Sequence, residues 1–98
     1  MTLPVLVEFD NITIRYELVD GDDIYLHLEY DGKVTEQGFE RLQHVFDMVL
    51  EEAKAVNLPF VSCILREDKQ KRIDLVESLG FIEESQSKEF ILYRARVV

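Results

Sequence analysis

The chain of 98 residues contains one cysteine, two prolines, four glycines and no tryptophan. A single cysteine, Cys63, cannot form a disulfide within the chain, and such sparing use is typical of reducing compartments. The scarcity of proline and glycine argues against disorder. No apolar run approaches the roughly 20 residues of a membrane span, and the first residues lack the features of a signal peptide. We therefore expect one folded domain over residues 1–98, cytoplasmic and without a membrane partner.

Acidic residues are concentrated at the start of the chain. The net charge is −9, and residues 1–32 carry eight acids against one base, Arg15, while the rest of the chain carries twelve acids and ten bases. This distribution predicts repulsion from nucleic acid and attraction to a basic protein. A need for solubility explains the same distribution.

Hydrophobic periodicity predicts three strands followed by a long helix. Val5–Phe9 is a short strand candidate, and apolar residues alternate with polar ones in 12–18 and 24–30, as in two half-buried strands of a hairpin. The Asp20-Gly21 pair provides the reversal between them. Apolar residues then fall on one helical stripe between positions 36 and 56. The stripe consists of Phe39, Leu42, Phe46, Val49, Leu50 and Ala53.

The last third of the chain predicts a buried strand, a second helix and two closing strands. Residues 60–65 form a nearly continuous apolar run. Asp68 can cap a helix that runs to Leu79, with Gly80 at its C-terminal end. Strands at 81–84 and 90–98 flank a polar loop. The predicted fold class is α+β, with the order β-β-β-α-β-α-β-β, a mixed sheet and two helices.

One segment resembles a known family. The matching residues lie in Arg72-Ile73-Asp74-Leu75-Val76-Glu77-Ser78-Leu79-Gly80-Phe81. The corresponding segment of the GNAT (Gcn5-related N-acetyltransferase) family reads approximately Ala-Ile-x-Leu-Tyr-x-Lys-x-Gly-Phe. Four residues match in register: Ile73, Leu75, Gly80 and Phe81. With the element order, the resemblance covers roughly residues 12–98 and implies a GNAT-like fold truncated at the N-terminus, without its first strand and two helices.

The resemblance also implies where coenzyme A binds in the family, and there the sequence departs from the pattern. The family cradles the pyrophosphate at the start of the long helix with Gln/Arg-x-x-Gly-x-Gly/Ala, which aligns with residues 37–42. Gln37 matches, and Gly38 would be the lone surviving glycine if the register shifts by one. The two small positions are Glu40, whose carboxylate repels a phosphate, and Leu42, whose bulk obstructs a close backbone approach.

Two further family positions differ. Val76 replaces the tyrosine that often serves as general acid, and Lys69 replaces an asparagine. We therefore predict a degenerate site with no catalytic residue and no cofactor. Acetyl-CoA binding is expected only if the chain is an enzyme with an unusual site.

The polar face of the predicted hairpin is the candidate partner-binding surface. The missing helices of the family would leave this side of the sheet uncovered, open to a protein partner or to a second copy. Its residues are Arg15, Glu17, Tyr25, His27 and Glu29. The alternative is an ordinary solvated sheet face, or one on which His27 or Glu29 acts as a general base.

Two other clusters have simpler explanations. The bases Arg66, Lys69, Lys71 and Arg72 could contact a phosphate, or could pair with the acidic part of the chain. The acids at positions 20, 22 and 23 lack the spacing of a calcium loop, so no metal site is predicted.

Three functions remain compatible with the sequence. The leading hypothesis is a non-catalytic, acetyltransferase-like module that binds a basic protein, as a small regulator or inhibitor. The rival is a minimal N-acetyltransferase that uses acetyl-CoA. The third is an acidic mimic of nucleic acid, although many of the acids are predicted at turns rather than in a phosphate-like row. A homodimer is compatible with the first hypothesis.

Overall fold

The computed structural model describes residues 3–19 and 23–97, and within them it contains six strands and two helices. The elements are β1 Val5–Phe9, β2 Ile12–Val19, β3 Asp23–Tyr30, α1 Glu36–Ala55, β4 Phe60–Arg66, α2 Gln70–Ser78, β5 Ile82–Ser87 and β6 Phe90–Arg96. This order confirms the predicted α+β fold. The predicted reversal at Asp20-Gly21 lies outside the described residues.

All six strands form one mixed sheet in the order β1-β2-β3-β4-β6-β5. Only β3 and β4 are parallel, and every other neighbouring pair is antiparallel. A parallel pair requires a crossover connection, which α1 provides. The sheet therefore consists of two antiparallel halves, β1-β2-β3 and β4-β6-β5, that meet at one parallel junction.

Both helices pack on the same face of this sheet. On that face Ile14 pairs with Leu28, and Cys63 pairs with Tyr93, and all four side chains are buried. Side chains of α1 and α2 lie against them, and the rings of Phe46 in α1 and Phe81 after α2 have centroids 4.8 Å apart. The opposite face has no helix over it within residues 3–19 and 23–97, and we call it the open face.

The helical stripe predicted for α1 is largely confirmed. Leu42, Phe46, Val49 and Ala53 are buried, while the remaining two residues of the stripe, Phe39 and Leu50, are partly exposed. The helix ends where Asn57 adopts a left-handed φ of 62°, a conformation that asparagine tolerates better than most residues.

The largest differences from the predicted boundaries are at α2 and β5. Asp68 does not cap α2, because its carboxylate accepts a hydrogen bond from Arg66 Nε at 3.3 Å and Lys69 occupies the N-cap position without a side-chain bond. The second difference is β5, which continues through Ser87 instead of ending at Glu84. Pairing with β6 extends the strand through a polar sequence that local propensity assigns to a loop.

Phe46 provides a test of this packing. Replacement of Phe46 by alanine removes a ring buried between α1 and Phe81, and we expect it to lower the free energy of unfolding by about 3–5 kcal/mol. The matched control is Met48→Ala on the same helix, where the side chain is 55% exposed and the expected change is within about 0.5 kcal/mol. Urea unfolding of both variants measures the difference, and equal losses would contradict the helical phase.

Candidate functional site

The parallel strands β3 and β4 separate soon after they meet. They pair only from Asp23 to Tyr25 and from Phe60 to Ser62, although β3 continues to Tyr30 and β4 to Arg66. Their carboxyl ends diverge and leave an opening, and the two helices that follow these strands begin beside it. Unpaired strand edges and helix N-termini both present free main-chain groups to a ligand. The opening is therefore a candidate binding site.

Tyr30 lies at the wide end of the opening. The guanidinium of Arg72 is 5.5 Å from the centre of its ring, within the range of a cation–π contact. Partial burial raises the pKa of Tyr30, and the positive charge of Arg72 opposes that rise. Lys69 and Lys71 line the surface next to the same ring. This part of the site is basic and aromatic.

The predicted basic cluster is divided in the structure. Arg66 points away from Tyr30, toward Asp68 and Glu89, with nitrogen–oxygen distances of 3.3 and 3.8 Å. Three bases of the cluster, Lys69, Lys71 and Arg72, remain near the opening.

The segment aligned with the pyrophosphate pattern lies inside α1. The helix begins at Glu36, so residues 37–42 are helical and not part of a loop. The N-cap residue Thr35 accepts hydrogen bonds in the first turn, from Gly38 N to its Oγ1 at 3.0 Å and from Phe39 N to its carbonyl at 2.8 Å. From residue 40 onward the main-chain N–H groups point along the helix to carbonyls one turn earlier. Few amides remain free for an anion.

The side chains of this segment have different environments. Leu42 is 2% exposed and belongs to the core, so the expectation that its bulk faces a phosphate is wrong, because a helical residue at this phase points toward the sheet. Glu40 and Gln37 are exposed. Gly38 is buried, and an added Cβ would lie 3.2 Å from Thr35 Oγ1. This glycine accommodates the cap and the packing of the helix on the sheet.

Potential nucleophiles and acids near the core are deeply buried. Burial raises the pKa of the Cys63 thiol to about 12, so the thiol is neutral at physiological pH and unreactive. Val76 is 2% exposed and lies among core residues. The Tyr93 hydroxyl donates to Glu77 Oε2 at 3.4 Å, and burial, then the Glu77 carboxylate, raise the pKa of Tyr93.

The five predicted partner-binding residues are brought together on the open face. Arg15 pairs with His27 and Glu17 pairs with Tyr25 across β2 and β3, and Glu29 lies one position further along the same face of β3. Arg15 Nε is 3.5 Å from Glu29 Oε1, and His27 Nε2 is 3.3 Å from Glu17 Oε1. Arg15 and Glu29 have opposite charges, and His27 is within hydrogen-bond distance of Glu17.

Sequence reasoning missed a buried polar network beside these residues. Asp23 is 6% exposed and Ser62 is fully buried. Ser62 Oγ donates to Asp23 Oδ2 at 2.7 Å, and Arg94 Nη2 lies 3.3 Å from the same oxygen. The Arg94 guanidinium also lies over the Phe60 ring at 4.9 Å. The residues come from three strands, so no local pattern indicates the network.

An apolar strip on the other half of the open face was also missed. Ile64 pairs with Leu92 across β4 and β6, and Ile82 and Phe90 lie on the same side. Ile82 is 71% exposed, Phe90 47% and Ile64 45%. The alternation in β4 and β6 contained this signal, but their sequences are too apolar for the two faces to be distinguished.

Acids of the N-terminal part mostly contact partners in the same chain. Besides the pairs on the open face, Glu8 accepts a hydrogen bond from Thr13 at 3.0 Å, and Asp10 lies 3.8 Å from Arg41. Among the described residues, such paired carboxylates do not form a row of free negative charges, so the structure gives the nucleic-acid mimic no support.

Comparisons with solved structures place the fold. Ard1 from Thermoplasma volcanium superposes with a TM-score of 0.69 at 14% identity, covering 90% of this chain and 64% of that one. The N-acetyltransferase PseH from Campylobacter jejuni, in complex with acetyl coenzyme A, gives 0.67 at 9% identity, covering 88% and 59%. A GNAT-family acetyltransferase from Bacillus anthracis gives 0.66 at 11% identity, covering 89% and 58%.

The chain therefore has a GNAT-like fold, as its sequence predicted, and it spans about three fifths of the length of these similar structures. No protein-family model and no curated protein sequence matches it. In residues 3–19 and 23–97 there is no cluster of three or more potential metal ligands. Neither described helix is long and apolar enough to cross a membrane.

The cap of α1 is open to a direct test. Thr35→Ala removes the oxygen that accepts from Gly38 N, and we expect a loss of about 1 kcal/mol in the free energy of unfolding. Thr35→Ser retains the hydroxyl and should lose much less. Urea unfolding compares the two variants, and equal losses would show that the methyl group, not the hydrogen bond, matters at this position.

Proposed function

We propose that this protein is a GNAT-like binding protein that does not transfer acetyl groups, and that it binds another protein through its open face. The start of α1 carries the proposal. Similar structures include an acetyltransferase with acetyl coenzyme A bound, and a pyrophosphate at a helix start needs free main-chain N–H groups. Here Thr35 already accepts two of the first-turn hydrogen bonds.

Negative charge at the start of α1 also opposes the binding of a pyrophosphate. Glu36 lies in the first turn of α1, and Glu40 is exposed one turn later. Displacement of the Thr35 hydroxyl costs only about 1 kcal/mol, which a tight ligand can overcome. The carboxylates raise that cost because a pyrophosphate brings like charge beside them, and the bases Lys33 and Lys71 beside Phe39 offset it only in part.

The open face supports the binding part of the proposal. Tyr25 lies at its centre, since β3 is the third of the six strands and Tyr25 pairs with Glu17 on one side and Ser62 on the other. The exposed apolar strip lies beyond it on β4, β6 and β5. Exposed apolar side chains near an aromatic anchor are typical of protein interfaces.

The proposed partner is basic because of the charge of the whole chain. The Arg15–Glu29 and Asp23–Arg94 pairs contribute little net potential to the open face. The net charge of −9 still attracts a positive protein over distances comparable to the Debye length. We therefore expect charge to accelerate association and the apolar strip to hold the complex.

Calorimetric titration tests the first half of the proposal. We expect no saturable heat when acetyl-CoA is added up to about 1 mM. A dissociation constant of that size corresponds to a binding free energy of roughly −4 kcal/mol. The matched variant Glu36→Gln/Glu40→Gln removes the two carboxylates without touching the core residue Leu42. A micromolar dissociation constant for the unmodified protein would overturn the proposal.

Capture of a binding protein from cell extract tests the second half. Tyr25→Ala combined with Ile64→Ser should abolish capture, because it removes the aromatic anchor and part of the apolar strip. His44→Ala, an exposed position on α1, is the control and should capture as the unmodified protein does. Capture that both variants retain equally at every salt concentration would exclude the open face.

The opening between β3 and β4 favours a second candidate function, a minimal N-acetyltransferase. It leaves room for an extended ligand beside Tyr30, with three bases nearby. If this function is correct, acetyl-CoA binds, Arg72→Gln weakens that binding, and free thiol appears in the presence of an amine substrate. The calorimetric result therefore separates the two candidates.

A further inference from the structure

Strand β1 is a free edge of the sheet. It is the terminal strand in the sheet order, and no strand within the described residues pairs with its outer side. Its sequence is Val-Leu-Val-Glu-Phe, without proline or lysine. Such an edge presents unpaired main-chain donors and acceptors together with apolar side chains, a combination that accepts additional strands.

The opposite edge of the sheet is different. Strand β5 carries Glu83 and Glu84, and its register shifts between Glu83 and Ser85. Charges and an irregular register are features that protect an edge against pairing. Strand β1 also has a register shift, but it carries a single acidic residue, Glu8, among apolar side chains, so its edge is less protected than that of β5.

An apolar groove runs beside β1 on the helix-covered side. A register shift between Val5 and Val7 marks a bulge in β1, and bulges redirect side chains. Leu6 and Val7 both line the groove, whose volume is about 380 Å³. Leu18 of β2 and Met48 of α1 line it as well, and they are 64% and 55% exposed. Among its lining residues, Glu52 is the one that carries a charge.

We propose that β1 and this groove bind an extended segment of a partner protein, added to the sheet as a seventh strand. The main chain of the segment pairs with the outer edge of β1. Its side chains alternate between the two faces of the sheet, so every second residue enters the groove and should be apolar. This surface is separate from the open face on which the proposed function rests.

The charge of β1 indicates which side chains the bound segment should carry on the face away from the groove. Glu8, the one charged residue of β1, lies on the open-face side, where it pairs with Thr13. The alternate side chains of the segment should therefore be basic. A second copy of this chain fits poorly, because pairing of two β1 strands brings two acidic edges together and two molecules of charge −9 repel each other.

The probe is a capped heptapeptide of alternating lysine and valine, labelled for fluorescence anisotropy. A block peptide of the same composition, with lysines first and valines last, has equal charge but cannot place every second side chain in the groove. We expect the alternating peptide to bind at least about tenfold more tightly. It should also slow hydrogen exchange of β1 amides. Equal affinities would reduce the interaction to charge attraction and overturn the proposal, as would the absence of binding.

Matched variants locate the contact. Leu18→Gln removes an exposed apolar side chain from the groove without changing charge, and we expect it to weaken binding of the alternating peptide about fivefold or more. Ile82→Gln, at an equally exposed position on β5, should change affinity less than about twofold. Far-ultraviolet circular dichroism confirms that both variants are folded. If both behave alike, β1 and its groove are not the binding surface.

Two further controls address the main chain and self-association. The alternating peptide with N-methyl groups on all its internal amides cannot donate main-chain hydrogen bonds, and it should lose binding. Retained binding would contradict strand addition. Light scattering of the free protein should give a monomer, and a dimer whose β1 amides are already protected would assign this edge to a second copy instead.

Discussion

The parallel junction of β3 and β4 is the connection on which the rest of the structure depends. It joins the two antiparallel halves of the sheet through only three residue pairs. A buried network lies at the same place, where Asp23 of β3 contacts Ser62 of β4 and Arg94 of β6. These contacts link three strands across the junction. They also place a carboxylate in the interior, where a polar group without partners is costly.

The network provides polar partners for one of the two oxygens of the Asp23 carboxylate. Oδ2 of Asp23 has both partners, while Oδ1 is buried and has no hydrogen-bond partner. An unsatisfied buried acceptor costs about 1–3 kcal/mol. A buried ion pair seldom stabilises more than an apolar replacement of the same shape. Its contribution here is better understood as fixing the register of two strands that share few other pairs.

The short junction has a second consequence, because the two halves of the sheet diverge beyond it. The core must then be closed from the helix-covered side, and α1 and α2 meet there through Phe46 and Phe81. The same divergence creates the opening beside Tyr30. The divergence of the two halves of the sheet therefore explains both the candidate ligand site and the need for the two helices to pack closely. The opening is present even though Thr35 accepts hydrogen bonds from the first turn of α1.

Local sequence patterns predicted the elements but not the contacts between distant strands. The alternation in β2 and β3 identified the shared face of Arg15 and His27, because hairpin pairing follows from chain order. The cap of α2 was mispredicted since Asp68 bonds to Arg66, a competition between two local partners that sequence does not resolve. The length of β5 depended on β6. Prediction of the Asp23 network requires the correct placement of three strands, and no short-range sequence pattern contains that information.

The two uncovered surfaces of the molecule differ in how they limit association. On the open face, exposed apolar residues are accompanied by paired charges and a central tyrosine, so a partner must match side chains over a wide area. At β1, the main chain itself is available, and specificity comes only from the groove and from Glu8. Main-chain pairing is tolerant of sequence, so an unprotected edge of this kind is a liability unless charge restricts its partners. In the proposed strand addition, the acidic character of the chain would provide that restriction, because like charge repels other copies and favours basic strands. Under that proposal, the negative charge of the chain has a role at this edge beyond solubility.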